Sequence, residues 1–274
     1  MPQKLRLGVM TRLGHEIEEE IANVRHFGLP TCQVAAWELD HYSKENTDRI
    51  RRACDEHGVE VTTIWAGCPG PAVWNFVDGP ATIGLVPPEY REMRVAALIA
   101  GAEFAAGLGV ASITTHAGFL PENPKDPLYE GTVEALAKVA QHCRRLGLRF
   151  CFETGQETPI TLLRVMTDIG TDNLGVNLDP ANLLMYGKAN PIDALDILGP
   201  YVRGVHAKDG EYPTVPGELG VEKPLGEGRV DFPKFVAKLK SFGYNGALTI
   251  EREISGPQQV ADIKRAIEVL KPLC

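Results

Sequence analysis

The sequence predicts an α/β fold, a closed (β/α)₈ barrel built as one domain over residues 1–274. Three observations carry that reading. Strand-like apolar runs alternate with helix-like segments eight times, joined mostly by short turns, as repeated βα units around a parallel sheet require. No linker or shift of composition divides the chain. The turn after the first strand, Met10-Thr11-Arg12-Leu13-Gly14, lacks the Gly-rich phosphate turn that would favour an open doubly wound sheet.

The elements follow in order. Leu5–Met10 is the first strand, and Glu16–Phe27 is a helix with Ile17, Ile21 and Val24 on one face, stopped by Gly28-Leu29-Pro30. Thr31–Trp37 is the second strand, Thr47–His57 a charged amphipathic helix ended by Gly58, and Val59–Ala66 the third strand. The Gly- and Pro-rich stretch Gly67–Pro88, with Trp74 and Phe76, is too long for a simple connection and reads as a functional loop. A long Ala-rich helix, Glu89–Leu108, leads to the fourth strand, Val110–His116, and a second long loop, Ala117–Glu130. Helix Thr132–Leu146 precedes the fifth strand, which begins at Leu148 and ends on Glu153. Thr158-Pro159 and Asn190-Pro191 each read as an N-cap with proline at the first helical position. They flank a sixth strand that runs from Leu174 into Asp179. The seventh strand runs from Val202 into His206 and opens a third long loop, Glu211–Arg229; helix Asp231–Phe242, the strand Ala247–Ile250 into Glu251, and helix Gln258–Leu270 complete the chain. Long loops thus follow strands three, four and seven.

The composition, 44% hydrophobic and 23% charged, is that of an ordinary soluble globular protein. A formal charge of -8 argues against nucleic acid and anionic membranes as partners. The six cysteines, Cys32, Cys54, Cys68, Cys143, Cys151 and Cys274, form no CxxC and read as reduced, mostly buried thiols. The first ten residues lack the apolar core of a signal peptide, and no apolar run is long enough to span a bilayer. A cytoplasmic protein is expected.

Four consecutive barrel strands end on Glu153, Asp179, His206 and Glu251. A carboxylate closing a buried strand is costly unless it is paired or bound to a metal. In a barrel, the C-terminal strand ends carry the active site. Three carboxylates and one imidazole at similar height form a hard, mainly oxygen ligand set, suited to Mn²⁺ or Mg²⁺ and tolerant of Co²⁺ or Zn²⁺. Strand alternation turns Cys151, Asn177 and Thr249 inward with their neighbouring ligands, and points Lys208 into the same pocket as His206. Three carboxylates, a dication and Lys208 balance in charge, so a substrate oxyanion can be stabilised there. His116 and Trp65, at the ends of the fourth and third strands, are candidate substrate contacts; Trp37 is read as core packing, with a sugar contact as the alternative.

Several motifs then carry a resemblance. Phe152-Glu153-Thr154, Asn177-Leu178-Asp179-Pro180-Ala181-Asn182, His206-Ala207-Lys208-Asp209-Gly210, Gly226-Glu227-Gly228-Arg229-Val230-Asp231-Phe232 and Thr249-Ile250-Glu251 together resemble the xylose isomerase-like TIM-barrel superfamily, in its sugar phosphate isomerase/epimerase branch. The resemblance implies one divalent metal, often Mn²⁺, on Glu153, Asp179, His206 and Glu251. It also implies an acid–base pair, Glu153 and Glu251, moving a proton through an enediolate held at the metal, with Lys208 beside them. The implied partners are a small sugar and a second copy of the chain, in a dimer or tetramer. Ketose 3-epimerases of this family carry a His three residues after the metal Asp, where this chain has Asn182. They carry an Arg six residues after the metal His, where it has Tyr212. Asn182 and Arg229 are therefore the candidates for those substrate contacts. An inosose dehydratase type of lyase, a hydroxypyruvate isomerase and a non-catalytic sugar-binding barrel that keeps the metal remain as alternatives.

Overall fold

The computed structural model describes residues 4–274; residues 1–3, part of the N-terminal stretch read above, lie outside the described residues. In order, the elements are β1 (Arg6–Arg12), α1 (Ile17–His26), β2 (Thr31–Ala36), α2 (Lys44–His57), β3 (Glu60–Ala66), α3 (Gly79–Thr82), α4 (Pro88–Leu108), β4 (Ser112–Thr115), α5 (Tyr129–Arg145) and β5 (Arg149–Glu153). Then follow α6 (Pro159–Ile169), β6 (Leu174–Leu178), α7 (Pro180–Met185), α8 (Pro191–Leu198), β7 (Val202–Ala207), β8 (Asp209–Gly210), β9 (Glu222–Lys223), α9 (Phe232–Ser241), β10 (Ala247–Ile250) and α10 (Pro257–Leu270). Eight strands close a barrel in the order β1-β10-β7-β6-β5-β4-β3-β2, and every barrel pair is parallel.

Local chemistry accounts for the helix ends. Ser43 accepts the Asn46 amide at the start of α2, one turn earlier than the spacing of apolar residues suggests, and Gly58 ends the helix with φ 64°. Thr158 and Asn190 cap α6 and α8, each followed by proline. Each such cap contributes about 1 kcal/mol. Ile17, Ile21 and Val24 are buried along α1, so that face packs on the barrel. No helix among the described residues is long and apolar enough to cross a membrane. All six cysteines are free thiols; Cys32, Cys143 and Cys151 are buried and the other three are partly exposed.

The long loops are more structured than their composition suggests. Within residues 67–88 a turn of helix, α3, forms, and the fully buried Arg94 of α4 holds the segment. Its guanidinium donates to the carbonyls of Pro69 (3.0 Å), Gly84 (2.6 Å), Pro71 (2.7 Å) and Thr82 (2.8 Å). Four carbonyls thus satisfy most of a buried guanidinium, which would otherwise be prohibitively costly. Gly84, at φ 69°, lies so close to the Ala117 carbonyl that any Cβ would clash, and the Leu85 amide donates to that same carbonyl at 2.9 Å. This contact ties the loop after β3 to the loop after β4.

The loop after β7 carries the antiparallel pair β8–β9. Asp209 closes it. Oδ1 accepts from Gly210 N (2.9 Å) and Val230 N (3.0 Å), and Oδ2 from Gly226 N (2.9 Å) and Gly228 N (3.1 Å).

Candidate metal centre

The strands β5, β6, β7 and β10 are neighbours in the barrel. Register sets the heights of their end residues. Leu178 pairs with Val205, so Asp179 comes level with His206, and Ile250 pairs with Ala207, so Glu251 rises beside Lys208. Glu153 pairs with Asn177, two residues short of Asp179. Ligand atoms of Glu153, Asp179, His206 and Glu251 come within 4.8 Å of one another, an arrangement that can hold a metal ion.

Each side chain is aimed by its own partners. Asp179 is the N-cap of α7: its Oδ1 accepts from Asn182 N at 2.9 Å, while its backbone amide donates to Thr154 Oγ1 at 2.8 Å. Its Oδ2 has no hydrogen-bond partner and is fully buried. A buried carboxylate oxygen left without a donor fits a cation ligand. His206 directs Nδ1 at Glu153 Oε1 (2.9 Å), Glu251 Oε2 (3.2 Å) and Asp179 Oδ2 (3.9 Å). Glu153 also accepts from Asn182 Nδ2 (3.2 Å) and from the Trp65 indole, and His116 Nε2 stands 3.5 Å from its Oε2.

The electrostatics of the cluster suit a cation ligand set. Burial alone would raise the Glu153 carboxyl, but His116 and His206 outweigh it and hold the group below its usual range. Burial acts the same way on Glu251, and Lys208 and His206 outweigh it. Burial carries Asp179 well above the usual carboxylate range, with Lys208 opposing in part. Burial disfavours the His206 imidazolium, yet Glu153 and Glu251 keep it protonated well above its ordinary range. A cluster that keeps a proton on a ligand imidazole exchanges it for a divalent ion, because a ligating imidazole is neutral.

Above the ligands is a cavity of about 190 Å³, lined by Trp37, Trp65, Trp74, His116, Gln156 and Asn182, among others. The rings pack closely, with centroids 4.7 Å apart for Trp37 and Trp65 and 5.2 Å for Trp74 and His116. His116, Trp65 and Asn182 thus stand where the sequence suggests. Trp37, which the sequence reads as core packing, is instead a wall of the cavity.

Arg229 does not join it. Its side chain is 71% exposed and faces Glu211 at 3.9 Å, because the Asp209 turn directs the loop outward at that point. Tyr212 is exposed as well and donates to the Ala189 carbonyl. Phe76 lies against Tyr186 rather than in the cavity wall.

Lys208 enters the site as expected, 3.4 Å from Glu251 and 3.8 Å from Asp179, but its nearest partner is Glu253, at 2.7 Å. Burial disfavours the Lys208 ammonium, and Glu251 and Glu253 more than compensate, raising it well above its ordinary value. Glu253 upsets the charge balance expected from three carboxylates alone, since with a dication and Lys208 one negative charge remains in excess.

Three further residues escaped the sequence reading. Gln33 hydrogen-bonds His206, Glu253 pairs with Lys208, and Gln156 is a fully buried amide in the cavity wall. Gln33 and Glu253 carried a signal: the first is an amide within an apolar strand, the second shares the parity of Glu251. Gln156 sits in a turn and carried none.

The chain matches the family model described as Xylose isomerase-like TIM barrel over residues 21–273. Among solved structures, a xylose isomerase domain protein from Planctomyces limnophilus is 35% identical, with 98% of this chain and 97% of that chain covered and a TM-score of 0.92. A D-tagatose 3-epimerase-like protein is 21% identical over 98% of this chain and 97% of that one, with a TM-score of 0.75, and shows the shared fold. An uncharacterized protein of Methanocaldococcus jannaschii is 25% identical over 192 residues, which is 66% of this chain and 62% of that protein's length. By the family model and the Planctomyces relative together, this chain belongs to the xylose isomerase-like TIM barrel family.

Proposed function

We propose that the protein is a divalent-metal-dependent isomerase or epimerase of a small sugar. The observation that carries the reading is the placement of Glu153 and Glu251 at the two ends of a four-strand ligand arc, under an aromatic cavity of about 190 Å³. Glu153, Asp179, His206 and Glu251 would hold the ion, and this oxygen-rich set suits Mn²⁺ or Mg²⁺. When bound, such an ion polarises a carbonyl and its neighbouring hydroxyl and so acidifies the carbon-bound proton between them.

The side chains do the rest. The two glutamates differ in freedom: Glu153 is held by His206, Asn182 and the Trp65 indole, whereas Glu251 is the more exposed and meets His206 and Lys208 through one oxygen, Oε2. Glu251 is therefore the base that removes the proton and later releases it to solvent, and Glu153 takes up a solvent proton and delivers it to the carbon from the opposite side. Lys208, 3.4 Å from Glu251, stabilises negative charge developing on the substrate oxygens. Asn182 and His116 are placed to bind hydroxyls, and Trp37, Trp65 and Trp74 to cover the C–H face of a sugar and exclude water. The excess negative charge around Lys208 favours an uncharged sugar over a phosphorylated one.

The test is turnover of a panel of aldoses and ketoses with added Mn²⁺ in D₂O, followed by NMR. A stereoisomer or positional isomer carrying solvent deuterium supports the reading. A dehydrated product would replace it with the lyase alternative, and binding without turnover with the sugar-binding one.

A further inference from the structure

A second cavity, of about 590 Å³, runs between α1 and α10 over the outer faces of β1 and β10. It meets the metal cavity along a shared edge made of Met10, Ala35, Glu251 and Glu253. The two spaces differ in size and character. The metal cavity, at about 190 Å³, falls below the roughly 300–1,000 Å³ usual for larger ligands and so takes a single sugar ring. A substituent attached to that ring on the Glu253 side lies against this shared edge, on whose other side the groove begins.

The groove walls indicate what it takes. Arg12, Arg252 and Lys264 are offset by Glu20, Glu251 and Glu253, so the walls present no net charge to an occupant. Arg252 is fixed between Glu222 (3.0 Å) and Asp262 (2.7 Å), which leaves it little capacity to grip an anion. Amides stand on both walls, Asn23 on α1 and Gln259 on α10, and Gln259 is oriented by donating to the Arg252 carbonyl at 2.9 Å. Between them lie apolar surfaces, Phe27 on one side and the exposed Val260 on the other. Amide donors and acceptors flanking flat apolar surface, with balanced charge, suit a neutral, hydroxyl-rich ring.

We infer that the groove between α1 and α10 is a subsite for the second ring of a short glycoside whose first ring sits at the metal centre. The inference rests on the sugar chemistry proposed above, and the experiment separates the two. D-fructose and D-glucose are compared with their glycosylated counterparts lactulose and cellobiose, on the Mn²⁺-loaded wild-type protein and on Val260→Trp and Asn23→Trp, which fill the groove from opposite walls. Val260 is solvent-exposed on α10, so its replacement leaves the barrel intact.

A disaccharide should show a kcat/KM about tenfold or more above its monosaccharide, the scale of a modest added contact. Either tryptophan should abolish that advantage through KM, with monosaccharide turnover unchanged. No advantage for either disaccharide, or an equal loss on both substrate sizes, overturns the subsite. Where no substrate turns over, calorimetric binding of the same four sugars decides. Tighter disaccharide binding lost in both variants upholds the subsite although the isomerase reading has failed. Equal binding of one- and two-ring sugars rejects it.

Discussion

The Nε2 of His206 lies 3.0 Å from Oε1 of Gln33, whose own Nε2 donates to Asn177 Oδ1 at 3.1 Å across the barrel interior. The amide of Gln33 thereby presents its oxygen to the imidazole, which places the ring proton on Nε2. When the ring loses its second proton to ligate a metal, the lone pair is left on Nδ1, the nitrogen that faces the three carboxylates. A partner on the far ring nitrogen is how ligating histidines are held in one tautomer.

Replacing Gln33 with Leu removes that acceptor and leaves Nε2–H unpaired. Divalent metal affinity should fall roughly 10–100-fold. Calorimetric titration with Mn²⁺ measures it, and an unchanged affinity would show that the carboxylates alone set the ring.

Asp179→Asn should uncouple metal binding from stability. Burial already carries the Asp179 carboxyl well above its usual range, so a neutral amide relieves a strain of the metal-free state. The metal-free variant should melt at the wild-type temperature or higher. Added Mn²⁺ should raise the wild-type Tm and leave that of the variant unmoved. A variant that still gains stability from the ion would remove Asp179 from the ligand set.

Glu251→Gln and Glu153→Gln keep shape and remove the bases. Each should lower kcat by about 10²–10⁴-fold. Steady-state rates, with metal content measured on the same samples, separate this from loss of the ion. Near wild-type rates in both metal-loaded variants would exclude proton transfer by these carboxylates.

Glu157 should make stability fall with pH. Burial pushes its carboxyl from 4.5 up to about 8, against the pull of nearby backbone amides and Lys188. A raised folded-state value means that the native chain holds a proton the unfolded chain has lost. The contribution is fully present below 4.5 and disappears as pH rises through about 8. Glu157→Gln should flatten the chemical-denaturation profile across that window and be the more stable protein at pH 9. Parallel wild-type and variant profiles would contradict the shift.

Asp209→Ala should release the loop after β7. Four backbone amides lose their acceptor, and each one left buried and unpaired costs about 1–3 kcal/mol, less wherever water reaches it. Limited proteolysis should cut within residues 211–229 faster than in the wild type, and kcat/KM should fall further than the Tm shift accounts for. Equal protease resistance would mean that β8–β9 alone holds the segment.

Much of this protein was legible in its sequence. Hydrophobic periodicity, glycine stops after helices and proline after capping residues locate the barrel units, because these are short-range constraints on φ, ψ and burial. The cluster of Glu153, Asp179, His206 and Glu251 was legible for a related reason: a charged residue that closes a buried strand has no inexpensive alternative to a partner or an ion. Boundaries moved where a side chain overrode periodicity, as Ser43 did for α2. The short helix α7 went unread because its signal is only Asp179 followed by Pro180.

Tertiary structure decided the remainder. Arg94 gathers four carbonyls from a segment that looks like open loop, and Gln33 reaches His206 from across the barrel. Arg229, close in sequence to the site, is turned to solvent, while Glu253 claims the lysine that seemed free for substrate. Each of these depends on which distant strands the barrel's closure makes neighbours, and on the direction a loop takes once its backbone amides find acceptors. Local sequence constrains dihedral angles and burial but carries no record of those long-range pairings.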